Sequence, residues 1–316
     1  MLGKTAASLF WMSRYLERVE NSARFIEAGF RIALTRSASA SGEWSSVLKS
    51  SGVLEAYRAK HDDFESTKVI DFLLRDRDNA GSVMVLMKQA RDSARTARTA
   101  LTREVWEATN ESWITLNAAM AKPVSEQDLP ETLGLIRQQS ALVRGATLGT
   151  MLRNDGFNFL RLGSFLERAD STARILDVKY YLLLPSVALI GSSVDNVQWE
   201  TILRSVSAHR SFRWLNGPDI SAKAVADYLM LHKQMPRSLT FCYAKISDNL
   251  NYLDENYDRK SRSGELAQEI CNNILSKPIE AIFEYGLHQY IGDFIVANNG
   301  LAAQIETDFN FQDRVG

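Results

Sequence analysis

Residues 14–27 read RYLERVENSARFIE, and residues 164–177 read SFLERADSTARILD. A shift of 150 positions sets Leu16, Glu17, Arg18, Ala23 and Arg24 on Leu166, Glu167, Arg168, Ala173 and Arg174 without change. The neighbouring changes are conservative: Tyr15 to Phe165, Glu20 to Asp170, Ser22 to Thr172 and Glu27 to Asp177. The correspondence continues downstream. EWSSVLKS (43–50) answers QWETILRS (198–205), VIDFLLRD (69–76) answers VADYLMLH (225–232), and NAGSV (79–83) answers MPRSL (235–239). Blocks in the same order at offsets of 150, 155 and 156 predict an internal tandem duplication.

The first helix of each copy has two characters. Met12, Leu16, Val19, Ala23, Ile26, Phe30 and Ala33 step by alternating fours and threes, and Leu162, Leu166, Ala169, Ala173, Leu176, Tyr180 and Leu183 do the same. Such a stripe faces a core. At about 100° per residue, Glu17, Arg18, Asn21 and Arg24 fall well away from it, as do Glu167, Arg168, Ser171 and Arg174. Phe25 and Ile175 share that polar side, so it is expected to be partly covered, a semi-buried cleft holding a carboxylate and two guanidinium groups from each copy. Two readings stay open. Glu20–Arg24 and Asp170–Arg174 are i,i+4 pairs that support a helix by a few tenths of a kcal/mol each, and Glu17 and Arg18 can bridge helices without further role. Alternatively the charges form a ligand or partner site.

The rest of the chain reads as helix. Its six prolines stand at 123, 130, 185, 218, 236 and 278, and alternating strand patterns closed by tight glycine turns are hardly visible. The pattern predicts helices over roughly 5–36, 43–59, 66–77, 79–118, 129–152, 155–184, 195–215, 221–232, 235–257 and 263–297. AKPVSEQDLP (121–130) and LPSVALIGSSVDN (184–196) are the clearest breaks, and the tail DFNFQDRVG (308–316) is expected to be loose. The fold expected is an all-α helical bundle with pseudo-two-fold symmetry, copy one over residues 1–152 and copy two over 153–316, packed as one body.

A net charge of −1 argues against broad DNA, RNA or membrane-surface binding. The two cysteines, Cys242 and Cys271, form no CxxC and fit a reducing cytoplasm. The opening MLGKTAASLFWMSR predicts no signal peptide, and YYLLLPSVALIG (180–191) is too short for a membrane span, so a cytoplasmic location is expected.

TAASLFWMSRYLERVENSAR and FNFLRLGSFLERADSTAR resemble the two signature helices of the alpha-E domain family of bacteria, an all-helical domain named for its Glu-Arg pair. ARDSARTARTALTREVWEATN (90–110) and DYLMLHKQMPRSLTFC (227–242) resemble its further blocks, so the resemblance spans nearly the whole chain. It implies site residues Glu17 and Arg18, Glu167 and Arg168, and the Pro236-Arg237-Ser238 element. It also implies work beside a circularly permuted ATP-grasp ligase and transglutaminase-like proteins in peptide synthesis or modification. Ser13 departs from the family's glycine, which Gly163 keeps, and in copy one the Pro-Arg-Ser element has become Ala80-Gly81-Ser82.

Other candidates are weaker. Lys88, Arg91, Arg95 and Arg98 line one face of KQARDSARTARTALTREVWE (88–107), opposite Val83, Met87, Ala90, Ala94, Ala97, Leu101 and Val105. They suit an anionic peptide, small molecule or acidic partner, or simply a solvated face. His61, His209, His232 and His288 show neither HxxxH nor ExxH spacing, so no metal is expected. No GxxxxGK[ST] or GxGxxG is present, and no cofactor is expected. The tryptophans sit mainly in helical patterns and read as core. The function expected is that of a non-catalytic or accessory subunit to the ligase. The alternative is an enzyme with Glu17 or Glu167 as acid/base and arginines holding an anionic substrate.

Overall fold

A helix buried on several sides must pair every polar group it carries, and two such helices organise this fold. The computed structural model describes residues 1–35, 40–181 and 193–311. They form helices α1 (Gly3–Thr35), α2 (Ala40–Ser50), α3 (Leu54–Arg58), α4 (Ser66–Leu74), α5 (Val83–Thr96), α6 (Arg103–Ala119) and α7 (Leu129–Thr150). After these come α8 (Asp155–Tyr181), α9 (Ser193–Ser205), α10 (His209–Asn216), α11 (Ala222–Leu231) and α12 (Leu239–Asn256). The chain closes with α13 (Arg262–Asn273), α14 (Ile279–Tyr285) and α15 (Leu287–Asp308). No strand occurs among the described residues, and no helix there is long and apolar enough to cross a membrane.

The two signature stretches became the long helices α1 and α8, which pack on each other at the centre. Contacts advance together along both, with residues 10 and 13 beside 163, and 14 and 18 against 167, so the helices run in the same direction. Met12, Val19, Ala23 and Ile26 are fully buried, as are Leu162, Leu166, Ala169 and Ala173, which places both apolar stripes in one core. The side chains of Ala33, Tyr180 and Leu183, and the break at 184–192, lie outside the described residues. Gly163 sets the closeness of the crossing. A β-carbon there would stand 2.2 Å from the Phe10 carbonyl oxygen and 2.3 Å from the Ser13 hydroxyl. Around this pair, α2, α5, α7 and α9 pack on α1, while α12 and α15 pack on α8.

Several long helices expected from sequence are divided. The 79–118 stretch is cut at a 3-10 turn, Arg98–Ala100, because Thr102 caps α6 by accepting from the Val105 amide. Gly52, at φ 73°, divides the 43–59 stretch between α2 and α3, and Ser207, at φ 59°, ends α9. Both ends are Schellman turns: Val53 N donates to Leu48 O as Ala208 N does to Leu203 O. Pro278 and Gly286, at φ 105°, divide the 263–297 stretch, and α15 then runs on to Asp308. The expected loose tail is corrected in part. Phe309 and Phe311 are buried against Phe159, because two aromatic rings bury more apolar area than a solvated tail would keep. Residues 312–316 lie outside the described residues. Trp44 and Trp199 are core as read, but Trp214 is 81% exposed.

Candidate functional site

The polar faces of α1 and α8 meet, and the Glu-Arg pairs cross. Arg168 grips Glu17 with two parallel bonds, Nε to Oε1 and Nη2 to Oε2, each 2.9 Å. Arg18 grips Glu167 the same way, Nε to Oε1 at 2.6 Å and Nη2 to Oε2 at 2.8 Å. Such bidentate guanidinium–carboxylate pairs are the strong form of the charged hydrogen bond. Both glutamates are 3% exposed. Burial alone would raise their pKa values, but the arginines outweigh it. Arg168, Arg237 and Arg144 hold Glu17 far below the carboxylate range, and Arg18 and Arg14 hold Glu167 below it.

Further residues extend the cluster on the Glu17 side. Glu20 accepts from Arg24 Nη2 and Arg237 Nη2, each 2.6 Å, and also from Arg144 of α7. Arg24 reaches on to the Ser205 carbonyl at 2.6 Å and the Ser207 hydroxyl at 3.0 Å, tying the end of α9 to α1. Arg237 also donates to Asn21 Oδ1 at 3.2 Å and lies 3.3 Å from Glu17 Oε1. It is 6% exposed, and burial, with Arg24 nearby, lowers it to about 10 against the pull of both glutamates.

On the Glu167 side the cluster is thinner. Arg14 adds a 3.0 Å bond to Glu167 and lies 4.8 Å from the Trp11 ring centroid. Asp170 accepts from Arg174 Nε at 2.6 Å, and among the described residues no other side chain donates to it. Burial raises the Asp170 carboxyl and Glu167 adds to this, so the Arg174 charge does not bring it back. A cavity of about 360 Å³ opens here, bounded by Arg18, Gly52, Gly81, Asp170, Ser171 and Arg174.

Seven of the expected site residues therefore meet: Glu17, Arg18, Arg24, Glu167, Arg168, Arg174 and Arg237. Arg91, Arg95 and Arg98 do not join them. Their proposed single face breaks because α5 ends at Thr96, before Arg98. Arg91 bonds Asn110 at 2.8 Å and stacks 4.7 Å from the Trp113 centroid, Arg98 lies 5.2 Å from Trp106, and Lys88 and Arg95 share Asp92. Arg14 and Arg144 were not singled out from sequence. Arg14 stands one turn before Arg18 on the same face, a legible signal. Arg144 comes from another helix and left none.

Among the described residues no group of three or more His, Cys, Asp or Glu is placed to hold a metal ion. Cys242 sits behind Arg168, where burial pushes its thiol up to about 12, so it is held protonated.

An all-helical protein centred on two crossed Glu-Arg helices is thus defined by its fold and its site together. The chain belongs to the Alpha-E family, described as a predicted alpha-helical domain with a conserved ER motif, which matches residues 1–309. The sequence holds two Glu-Arg dipeptides, and they are the two that cross here. No curated protein and no solved structure matches the chain.

Proposed function

We propose that this protein is a non-catalytic accessory subunit of a peptide synthesis or modification system, working beside an ATP-grasp ligase and a transglutaminase-like protein. One observation carries the non-catalytic part. Both motif glutamates are buried, ionised and held bidentately by the opposite helix, so they are engaged in joining α1 to α8. A general acid or base must change protonation near working pH, and these carboxylates are held away from that range. The ligase and transglutaminase partners come from the family resemblance, and the cytoplasm is the proposed setting.

The test is reconstitution. The tagged chain is recovered from its native cells, and any co-purifying ligase is assayed for ATP hydrolysis on peptide substrate with and without it. The reading expects the ligase to co-purify and its turnover to depend on the chain. Absence of any ligase, or turnover of peptide by this chain alone, would contradict it.

One observation favours an enzyme instead, but it moves the reacting group. Asp170, raised by burial and bordering the open cavity, is the better-placed acid than Glu17 or Glu167. On that reading Asp170→Asn abolishes turnover by the isolated chain and leaves ligase co-purification intact.

A further inference from the structure

The two halves of the polar cluster differ by a hole. Arg237 stands immediately before Ser238, whose hydroxyl caps α12 by accepting from the Phe241 amide at 3.0 Å. Gly81 stands immediately before Ser82, which caps α5 through the Val85 amide at 3.4 Å. The 156-residue offset that sets Ser82 on Ser238 sets Gly81 on Arg237, and the 150-residue offset sets Asp170 and Ser171 on Glu20 and Asn21. Arg237 lays its guanidinium on Glu20 and Asn21. Gly81 and the pair Asp170 and Ser171 have the cavity of about 360 Å³ between them. A second filler is missing in the same place. Ser207, whose hydroxyl accepts from Arg24, corresponds to Gly52, another wall of the cavity.

The walls carry unmet bonding capacity. Among the described residues the Ser171 hydroxyl and the Asn21 side-chain NH2 have no hydrogen-bond partner, although these residues are only 3% and 2% exposed. Leaving such groups buried and unpaired costs about 1–3 kcal/mol each. Asp170 receives one arginine where Glu20 receives three.

We propose that this cavity binds a guanidinium group carried by a ligand, seated where Arg237 sits in the other half and donating to Asp170 and Ser171. A planar fork of donors matches a carboxylate beside a hydroxyl acceptor. A guanidinium also holds its charge on burial with more margin than an amine: Arg237, buried in the equivalent place, falls only to about 10, whereas an amine starts about two units lower. Entry is open at the rim, where the Arg18 and Arg174 side chains remain 38% and 32% exposed. The ligand class is an arginine side chain, free or within a peptide. This goes beyond the subunit reading and does not depend on whether a ligase docks.

The test is calorimetric titration of the purified chain at pH 7 with L-arginine, with N-acetyl-arginine amide and with citrulline, the neutral isostere. Two variants, checked for folding by circular dichroism, accompany it. Asp170→Asn removes the acceptor charge, and Gly81→Arg fills the hole from within; its β-carbon would meet Val53 Cγ1 at 3.2 Å, a contact a small shift relieves. The expected result is arginine binding, weaker by about tenfold or more for citrulline and in Asp170→Asn, and lost in Gly81→Arg. Equal binding of the acetylated amide assigns the site to arginine within a peptide, and binding of free arginine alone assigns it to the amino acid. No arginine binding up to about 10 mM, or binding unchanged in Asp170→Asn, overturns the proposal. Because Asp170→Asn serves even if Gly81→Arg misfolds, the outcome does not hang on one variant, and ligase co-purification is read separately.

Discussion

The Glu17–Glu20 and Glu167–Asp170 ends of one cluster carry matching motifs but differ in closure. Around Glu17 and Glu20 the arginines Arg24, Arg144, Arg168 and Arg237 converge, and the cavity beside Glu17 and Arg144 holds only about 40 Å³. Around Glu167 and Asp170, among the described residues, only Arg14, Arg18 and Arg174 do so, and a cavity of about 360 Å³ remains. The lesson is that a repeated motif does not fix a repeated role. The same Glu-Arg dipeptide is a closely packed lock at one end and part of the wall of a larger hollow at the other.

The largest expected effect lies at the Glu17 end. Glu17→Gln leaves Arg168 buried without its counter-charge and removes one of the two carboxylates beside Arg237, and it is expected to cost about 3–5 kcal/mol in urea unfolding. Glu167→Gln is expected to cost less, about 2–3 kcal/mol, because Arg18 can turn to solvent although Arg14 stays buried without its counter-charge. Equal costs would break the comparison. Gly163→Ala tests the crossing that brings both ends together. Its methyl group meets the Phe10 carbonyl, and a loss of about 1–3 kcal/mol is expected in the same assay.

Acid titration sharpens the contrast through its sign. Glu17, Glu20 and Glu167 have folded-state values below their ordinary one. Their stabilisation is complete above about pH 4.5 and lost as pH falls through the folded values. Asp170 is raised, so its contribution runs the other way: it is present below about pH 3.8 and lost as pH rises through the folded value. Unfolding midpoints measured from pH 3 to 7 should therefore fall on the acid side in wild type, and fall more steeply in Asp170→Asn, which lacks the opposing group. The smallest effect is expected outside the cluster. Arg95→Ala, on the exposed face of α5, should change stability by less than about 0.5 kcal/mol.

The central helices were legible because α1 and α8 carry the 4-3 apolar stripe, and Phe25 and Ile175 on the polar side signalled cover. Both are indeed buried. The cross-pairing was legible as far as the charges recur at one offset. The place of Arg144 was not. Arg144 meets Glu20 across 124 residues through the packing of α7, which no local pattern encodes. The interior breaks at Thr102 and Ser207 were missed because neither carries the glycine or proline that usually marks a turn. Ser207 takes a left-handed backbone held by Arg24, a tertiary contact. Lys88, Arg91, Arg95 and Arg98 gave a regular pattern, but Asp92, Asn110, Trp106 and Trp113 engage them locally.

The most direct measurement is urea unfolding of Glu20→Gln and Asp170→Asn, side by side at pH 7. These two acids correspond when the two signature stretches are aligned at the 150-residue offset, one under three arginines and one beside a cavity. The account predicts a loss of about 3–5 kcal/mol for Glu20→Gln and a change within about 1 kcal/mol for Asp170→Asn. Equal losses would mean that both ends are closed alike, and that would contradict it.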